Sequence, residues 1–185
     1  MKVTVFLDTN VILDYLENRD EEVRYLVERM LRSDRVRVVT SIFNIIETID
    51  KEKDIIFVGK LLLKRYSFDE IARKRGSRNL SDEEKNMIAD KINQLLRRNR
   101  IETYALSETG YEKAMELIQE YDIQSQDALI VATFLSIEGD YFVSNDGDLI
   151  KELRDNEICK CFNLRNENDR RELEQILFGE ENESK

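Results

Sequence analysis

The stretch VTVFLDTNVILDYLE, residues 3–17, sets the reading of everything that follows it. Val3-Thr4-Val5-Phe6-Leu7 is a short apolar run with β-branched residues, the pattern of a buried strand. It stops at Asp8-Thr9-Asn10, and a helix is predicted from Val11 to about Glu17. The same alternation continues outward. Val23, Leu26, Val27, Met30 and Leu31 fall at helical spacing within residues 21–32, and Val36-Arg37-Val38-Val39-Thr40 reads as a second strand. Ser41 is a plausible N-cap for the next helix, which carries Ile42, Phe43, Ile45, Ile46 and Ile49.

The second half repeats the scheme. Ile101–Tyr104 is a predicted strand, and Ser107 starts a helix through Ala114, Leu117, Ile118 and Tyr121. A further helix is predicted over about 125–136, containing QDALIVATFL, followed by a strand at Asp140–Ser144. A short helix, a CKCF strand and a terminal helix around Leu173–Leu177 close the chain, with GEENESK expected to fray. Repeated strand–helix units imply an α/β fold with a mostly parallel sheet and helices on both faces.

The 185 residues suit one domain, and 41% hydrophobic content is enough to fill its core. The absence of His removes Ser-His-Asp and Cys-His catalysis and any His-ligated zinc. Cys159 and Cys161 cannot supply four zinc ligands, and a disulfide across so small a ring would be strained; they read as two thiols on one face of a strand. The N-terminus lacks the pattern of a signal peptide and no apolar run approaches a membrane span, so a cytoplasmic location is expected.

Charge is unevenly spread. Residues 51–100 hold 14 Lys/Arg against 8 Asp/Glu, while the rest of the chain holds 15 against 31. This basic segment is read as a helical hairpin, with a turn near Gly76-Ser77 and a capping box formed by Ser81 and Glu84 ahead of a helix to about Arg98. Lys64, Arg65, Arg73, Lys74, Arg75 and Arg78 are its candidate phosphate-binding residues. A solvated hairpin that touches no nucleic acid would have the same composition.

In open parallel sheets, ligands bind beyond the carboxyl ends of the strands. Two predicted strands end there in acids: Asp8 after VTVFL, and Asp146 with Asp148 after YFVS. Two more acids interrupt apolar helical runs, Glu47 in SIFNIIETI and Asp127 in QSQDALIVATFL. Taken singly, each has an ordinary explanation as a cap, a turn residue or an exposed helix position. Together, with no His and few nearby basic residues, they point to a hard divalent cation, Mg²⁺ or Mn²⁺, held by oxygen ligands.

The FLDTNVILDYL opening, the Ser41-to-Glu47 spacing of SIFNIIE, the QDALIVA helix and the SNDGDL strand end resemble the PIN-domain family, and in particular the prokaryotic PIN ribonucleases that include the VapC-type toxins. The resemblance covers residues 3–50 and 101–165, with 51–100 as a larger insertion than usual. It implies a three-layer α/β/α fold on a five-stranded sheet of order 3-2-1-4-5, in one domain over residues 1–165, followed by a C-terminal helix and acidic tail over 166–185. Matched by motif, Asp8, Glu47, Asp127 and Asp146 are the four site acids, Asp148 an additional ligand, and Asn10 and Ser144 the accompanying polar residues. The chain departs from the pattern at Leu149, where an aromatic is usual, and in the long basic insertion.

What the resemblance implies for activity is Mg²⁺- or Mn²⁺-dependent endoribonuclease action on an RNA substrate, with an antitoxin protein as a possible partner and a homodimer as the expected assembly. The alternatives are an RNA-processing nuclease outside any toxin pair, or a PIN-like module that binds RNA or protein without cutting. A phosphatase of the haloacid dehalogenase type is disfavoured because Asn10 stands where its second carboxylate is needed. A phosphorylatable receiver domain is disfavoured because no acidic pair precedes Asp8.

Overall fold

The computed structural model of the protein describes residues 2–75, 79–98 and 100–182. β1 (Val3–Leu7) lies at the centre of a five-stranded sheet with β2 (Val36–Ser41), β3 (Glu102–Tyr104), β4 (Tyr141–Ser144) and β5 (Cys161–Asn163). The order is β3-β2-β1-β4-β5 and all four pairings are parallel, so every strand delivers its carboxyl end to one edge. Register places Phe6 beside Val39 on one side and beside Phe142 on the other.

Alternation along these strands makes two cores. Val5 and Leu7 face one side, with Val36, Val38, Val143 and Phe162, and are covered by α1 (Thr9–Glu17), α2 (Glu21–Arg32), α5 (Asp82–Asn93) and α9 (Glu167–Asn182). Phe6, Val39, Phe142 and Cys161 face the other, beneath α6 (Glu108–Tyr121), α7 (Ser125–Ser136) and α8 (Gly147–Asp155). There Phe6, Phe134 and Phe142 form an aromatic triad with ring centroids 5.5–5.8 Å apart. Asn18 and Asp122, in left-handed conformation at the ends of α1 and α6, do the work that glycine more often does.

The insertion is built differently from a simple hairpin. α3 (Ile42–Leu63) runs unbroken through residue 51, capped by Ser41 as expected, so the first part of the basic segment belongs to a helix that starts at the sheet. α4 (Phe68–Lys74) follows with its own capping box, Ser67 and Glu70. α5 starts at the Ser81–Glu84 capping box and passes into a π-helical turn at Gln94–Arg98. The predicted turn at Gly76-Ser77 lies outside the described residues. Phe57, Leu61 and Ile71 form a small core of their own where α3 meets α4, whereas Ile88, Ile92 and Leu95 join the main core.

Two boundaries near the C-terminus also move. β5 begins at Cys161, so Cys159 precedes the strand; both are free thiols packed with the α6–α8 core. α9 extends to Asn182, well into the stretch expected to fray. Among the described residues, no helix is long and apolar enough to cross a membrane.

Candidate metal centre

The acids gather where the sheet topology delivers them. Asp8 follows β1 directly; its N–H donates to the Val143 carbonyl at 2.9 Å, which ties it to β4, and its side chain caps α1. Asp8 is 6% exposed, so both of its oxygens need partners. Oδ1 accepts from the Thr9 N–H at 2.7 Å and from Asn44 Nδ2 at 2.9 Å, and Oδ2 accepts from Ser144 Oγ at 2.7 Å.

Glu47 is half-buried one turn and a half into α3, and its Oε2 accepts from Thr9 Oγ1 at 2.7 Å. Asn44 Nδ2 also reaches Thr9 Oγ1 at 3.0 Å, so Asn44 and Thr9 join the first acid to the second. Asp146 is the N-cap of α8; its Oδ1 accepts from the N–H groups of Asp148 and Leu149 at 3.0 and 3.1 Å. Asp127 lies half-buried in the first turn of α7 and accepts no hydrogen bond from any described residue.

Asn10 and Ser144 both join the hydrogen-bond network around Asp8. Ser144 is fully buried at the end of β4; its Oγ accepts from Asn10 Nδ2 at 3.1 Å and from the Asp146 N–H at 3.0 Å while donating to Asp8. Asp148 is exposed, and only its backbone N–H joins the network. Leu149 fills the place of the usual aromatic by packing, buried, into the α6–α8 core.

Electrostatics ties the four acids together. Burial pushes Asp8 up to about 6 against the pull of the Ser144 and Thr9 hydrogen bonds, with repulsion from Asp127 and Glu47 adding to the rise. Burial likewise pushes Asp127 up to about 6, followed by repulsion from Asp146, Glu47 and Glu152. Among the described residues, no Lys or Arg side chain hydrogen-bonds or ion-pairs with any of the four. Glu152, one turn beyond Asp148 in α8, was not visible from sequence because it reads as an ordinary exposed helix residue.

The donor set fits a hard divalent cation: oxygen ligands, an excess of negative charge and no protein cation to neutralise it. Among the described residues, no three Cys, Asp or Glu side chains stand close enough together to hold an ion as placed. The carboxylates repel one another, and a cation among them would add attractions that offset that repulsion. The edge they occupy is open. A hollow of about 510 Å³ lies elsewhere, between α3 and α5, lined by Glu52, Met87, Lys91 and Gln94 and by none of the four acids.

The basic candidates divide. Lys64, Arg65 and Arg73 are exposed around the α3–α4 junction. Arg75 Nη2 pairs with Asp54 at 2.6 Å, and Lys74 lies over the Tyr66 ring at 5.2 Å. Arg78 lies outside the described residues.

Comparison with known proteins gives one family model, described as PIN domain, matching residues 5–155. Solved structures share the fold at low sequence identity. VapBC-1 from nontypeable Haemophilus influenzae matches with a TM-score of 0.58 and 16% identity, covering 89% of this chain and 100% of that one. VapBC2 from Rickettsia felis, bound to a DNA fragment from its promoter, matches with a TM-score of 0.57 and 14% identity, covering 86% and 97%. FitAB bound to an IR36 DNA fragment matches with a TM-score of 0.53 and 19% identity, covering 86% and 94%. No curated protein matches the sequence.

Proposed function

Because this chain belongs to the PIN-domain family of nucleases, we propose that it is an endoribonuclease that hydrolyses RNA phosphodiesters with Mg²⁺ or Mn²⁺ held by Asp8, Glu47, Asp127 and Asp146. The observation that carries this reading is the convergence of those four acids at the carboxyl edge of the sheet, with Asp8 and Asp127 both pushed up to about 6 and, among the described residues, no Lys or Arg paired with them. A divalent ion bound there supplies a water of lowered pKa and screens the anionic phosphodiester.

The chain's own residues do the positioning. Ser144 and Asn44 leave Asp8 little rotational freedom, since each carboxylate oxygen is already directed by a donor. Thr9 holds one oxygen of Glu47, and the α8 cap holds one oxygen of Asp146; the second oxygen of each remains for a ligand or for orienting water. Asp148 stands at the exposed rim, placed to receive an outer water. The acidic body repels RNA, so grip falls to Lys64, Arg65 and Arg73, with Lys74, Arg75 and Arg78 adding to the local field.

A toxin role, with an antitoxin protein as partner, is the more specific form of the same proposal. It is supported by the likeness to VapBC and FitAB, each of which is a two-component assembly by name. A homodimer is proposed on the exposure of Ile42 and Ile46 on α3 and of Leu63 and Phe68 on the insertion. Light scattering at micromolar concentration reads it directly, a monomer mass being the contrary result.

The test of the activity is incubation with mixed RNAs, with and without Mn²⁺, beside an Asp8→Asn control. Cleavage is expected only from the parent with metal, and the variant should fall by at least about 100-fold, the scale of losing one electrostatic group from such a site. RNA that binds the parent but stays intact with Mn²⁺ would instead identify a non-cleaving module.

A further inference from the structure

Asp14 is a fully buried carboxylate on the inner face of α1, in a position that the apolar run VILDYL would give to a hydrophobic residue. Two groups satisfy it. Arg165, from the β5–α9 connection, holds it with both prongs of its guanidinium: Nε donates to Oδ2 at 3.0 Å and Nη2 to Oδ1 at 3.0 Å. Asn145 Nδ2 donates to Oδ2 at 2.8 Å.

Asn145 is the residue between Ser144 and Asp146. Its backbone N–H donates to Asn10 Oδ1 at 2.7 Å, and Asn10 Nδ2 reaches Ser144 Oγ, which in turn donates to Asp8. A continuous chain of hydrogen bonds therefore runs from Arg165 through Asp14 and Asn145 to the first acid, and Asn145 is covalently joined to the fourth. The Asn145 amide has no alternative orientation, because a carboxylate only accepts and so must face the NH₂ group. Its own Oδ1 is buried and meets no donor among the described residues, so the hydrogen bond to Asp14 is what orients the side chain.

Stability alone does not explain this arrangement. A well-packed apolar side chain at position 14 would suit a buried helix face at least as well as a buried carboxylate held by a guanidinium at the surface. What an apolar residue could not do is accept from Asn145 and fix the turn 144–146. We propose that the Asp14–Arg165 pair positions the acid edge, setting through Asn145 the turn that presents Ser144 to Asp8 and Asp146 to the cation. The inference rests on the metal-centre reading above for its consequence, and on the hydrogen bonds alone for its geometry.

Two readouts separate positioning from simple structural support: amide hydrogen exchange without metal, and Mn²⁺ affinity by calorimetry. In Arg165→Met, exchange at the Asn145 and Asp146 amides should accelerate about ten-fold relative to the β1 amides, and Mn²⁺ affinity should fall about ten-fold, the usual scale for losing a group that orients a metal ligand. Arg165→Lys keeps the charge and should restore both to within about threefold. Asn145→Ala leaves the ion pair intact while cutting the link, so it should loosen Asp146 and weaken Mn²⁺ similarly even if Arg165→Met does not fold. The inference is overturned if Asn145→Ala leaves exchange at Asp146 and Mn²⁺ affinity within twofold of the parent. It is equally overturned if folded Arg165→Met loses global stability while both local readouts stay unchanged. If the parent binds no Mn²⁺, the metal-centre reading fails by itself, and the exchange ratios still decide whether the pair fixes the turn.

Discussion

Two clusters of carboxylates lie in this molecule, one around the buried Glu52 and one around the buried Asp8, and they solve the same electrostatic problem in opposite ways. At the junction of α1, α3 and α5, Glu17 and Glu52 share Lys91, whose Nζ lies 2.9 Å from Glu52 Oε2 and also bonds Glu17. Burial pulls the Lys91 ammonium down, but its two carboxylate partners outweigh that and hold it above the ordinary lysine range. At the carboxyl edge of the sheet, among the described residues, Asp8, Glu47 and Asp146 receive only neutral donors and Asp127 receives none. Neutral donors orient a carboxylate without cancelling its charge. The first cluster carries its own cation within the chain and so is structural; the second leaves its charge for something from outside.

The largest effect that sharpens this contrast is a pH dependence at Asp8. Its folded pKa of about 6 lies above its unfolded value of 3.8, so between those values the native state binds more protons than the unfolded state. Stability from this group therefore falls as pH rises through about 4 to 6, by up to about 3 kcal/mol. Asp8→Asn removes the penalty, so without divalent metal the variant should gain on the parent as pH rises across that window. Urea unfolding of both proteins at several pH values measures the difference, and a difference that is flat or opposite in sign would contradict the electrostatic account.

Next comes the paired cluster. Lys91→Met strands Glu52, which is 3% exposed, and should destabilise the protein by about 2 kcal/mol. That lies below the range for a fully buried pair, because the Lys91 side chain keeps 31% of its surface exposed. Lys91→Arg should recover most of the loss. If Lys91→Met unfolds at the parent's urea midpoint, the junction is not the structural counterpart described here.

The smallest effect concerns Glu152. Its charge adds to the repulsion at Asp127, but the group is exposed and well screened. Glu152→Gln should lower the Asp127 titration midpoint by less than about one unit, followed by carboxyl NMR. A rise in that midpoint would show that Glu152 does not act through its charge.

Much of this was legible in the sequence because strands and their acids share a local signal. The VTVFL-D and YFVS-x-D runs give strand, edge and carboxylate together, and Ser41, Ser81 and Ser107 mark helix starts that the structure bears out. The unbroken course of α3 was not legible. The hairpin reading begins at residue 51, yet the helix continues across KEKD and Glu52 turns inward to a lysine 39 residues away. Long-range charge pairing of that kind leaves no periodic trace.

The polar supports of the site were missed for a related reason. Asn44 in SIFNII and Asp14 in VILDYL are single polar residues inside apolar helical runs, the same signal that identified Glu47 and Asp127. Their partners, Thr9 and Asp8 for Asn44, Arg165 and Asn145 for Asp14, are set by sheet topology and not by spacing. Helix-interrupting polar residues near a strand end warrant the scrutiny given to acids.

The most direct test of the central claim, that the acid edge is left uncompensated for a cation, is Mn²⁺ titration by calorimetry with thermal unfolding of the same samples at pH 7. The account predicts measurable binding by the parent and a native-state gain of about 2.7 kcal/mol at a hundredfold excess over Kd, both strongly reduced in Asp8→Asn and Asp127→Asn. Absence of binding heat and of any change in unfolding at millimolar Mn²⁺ would contradict it.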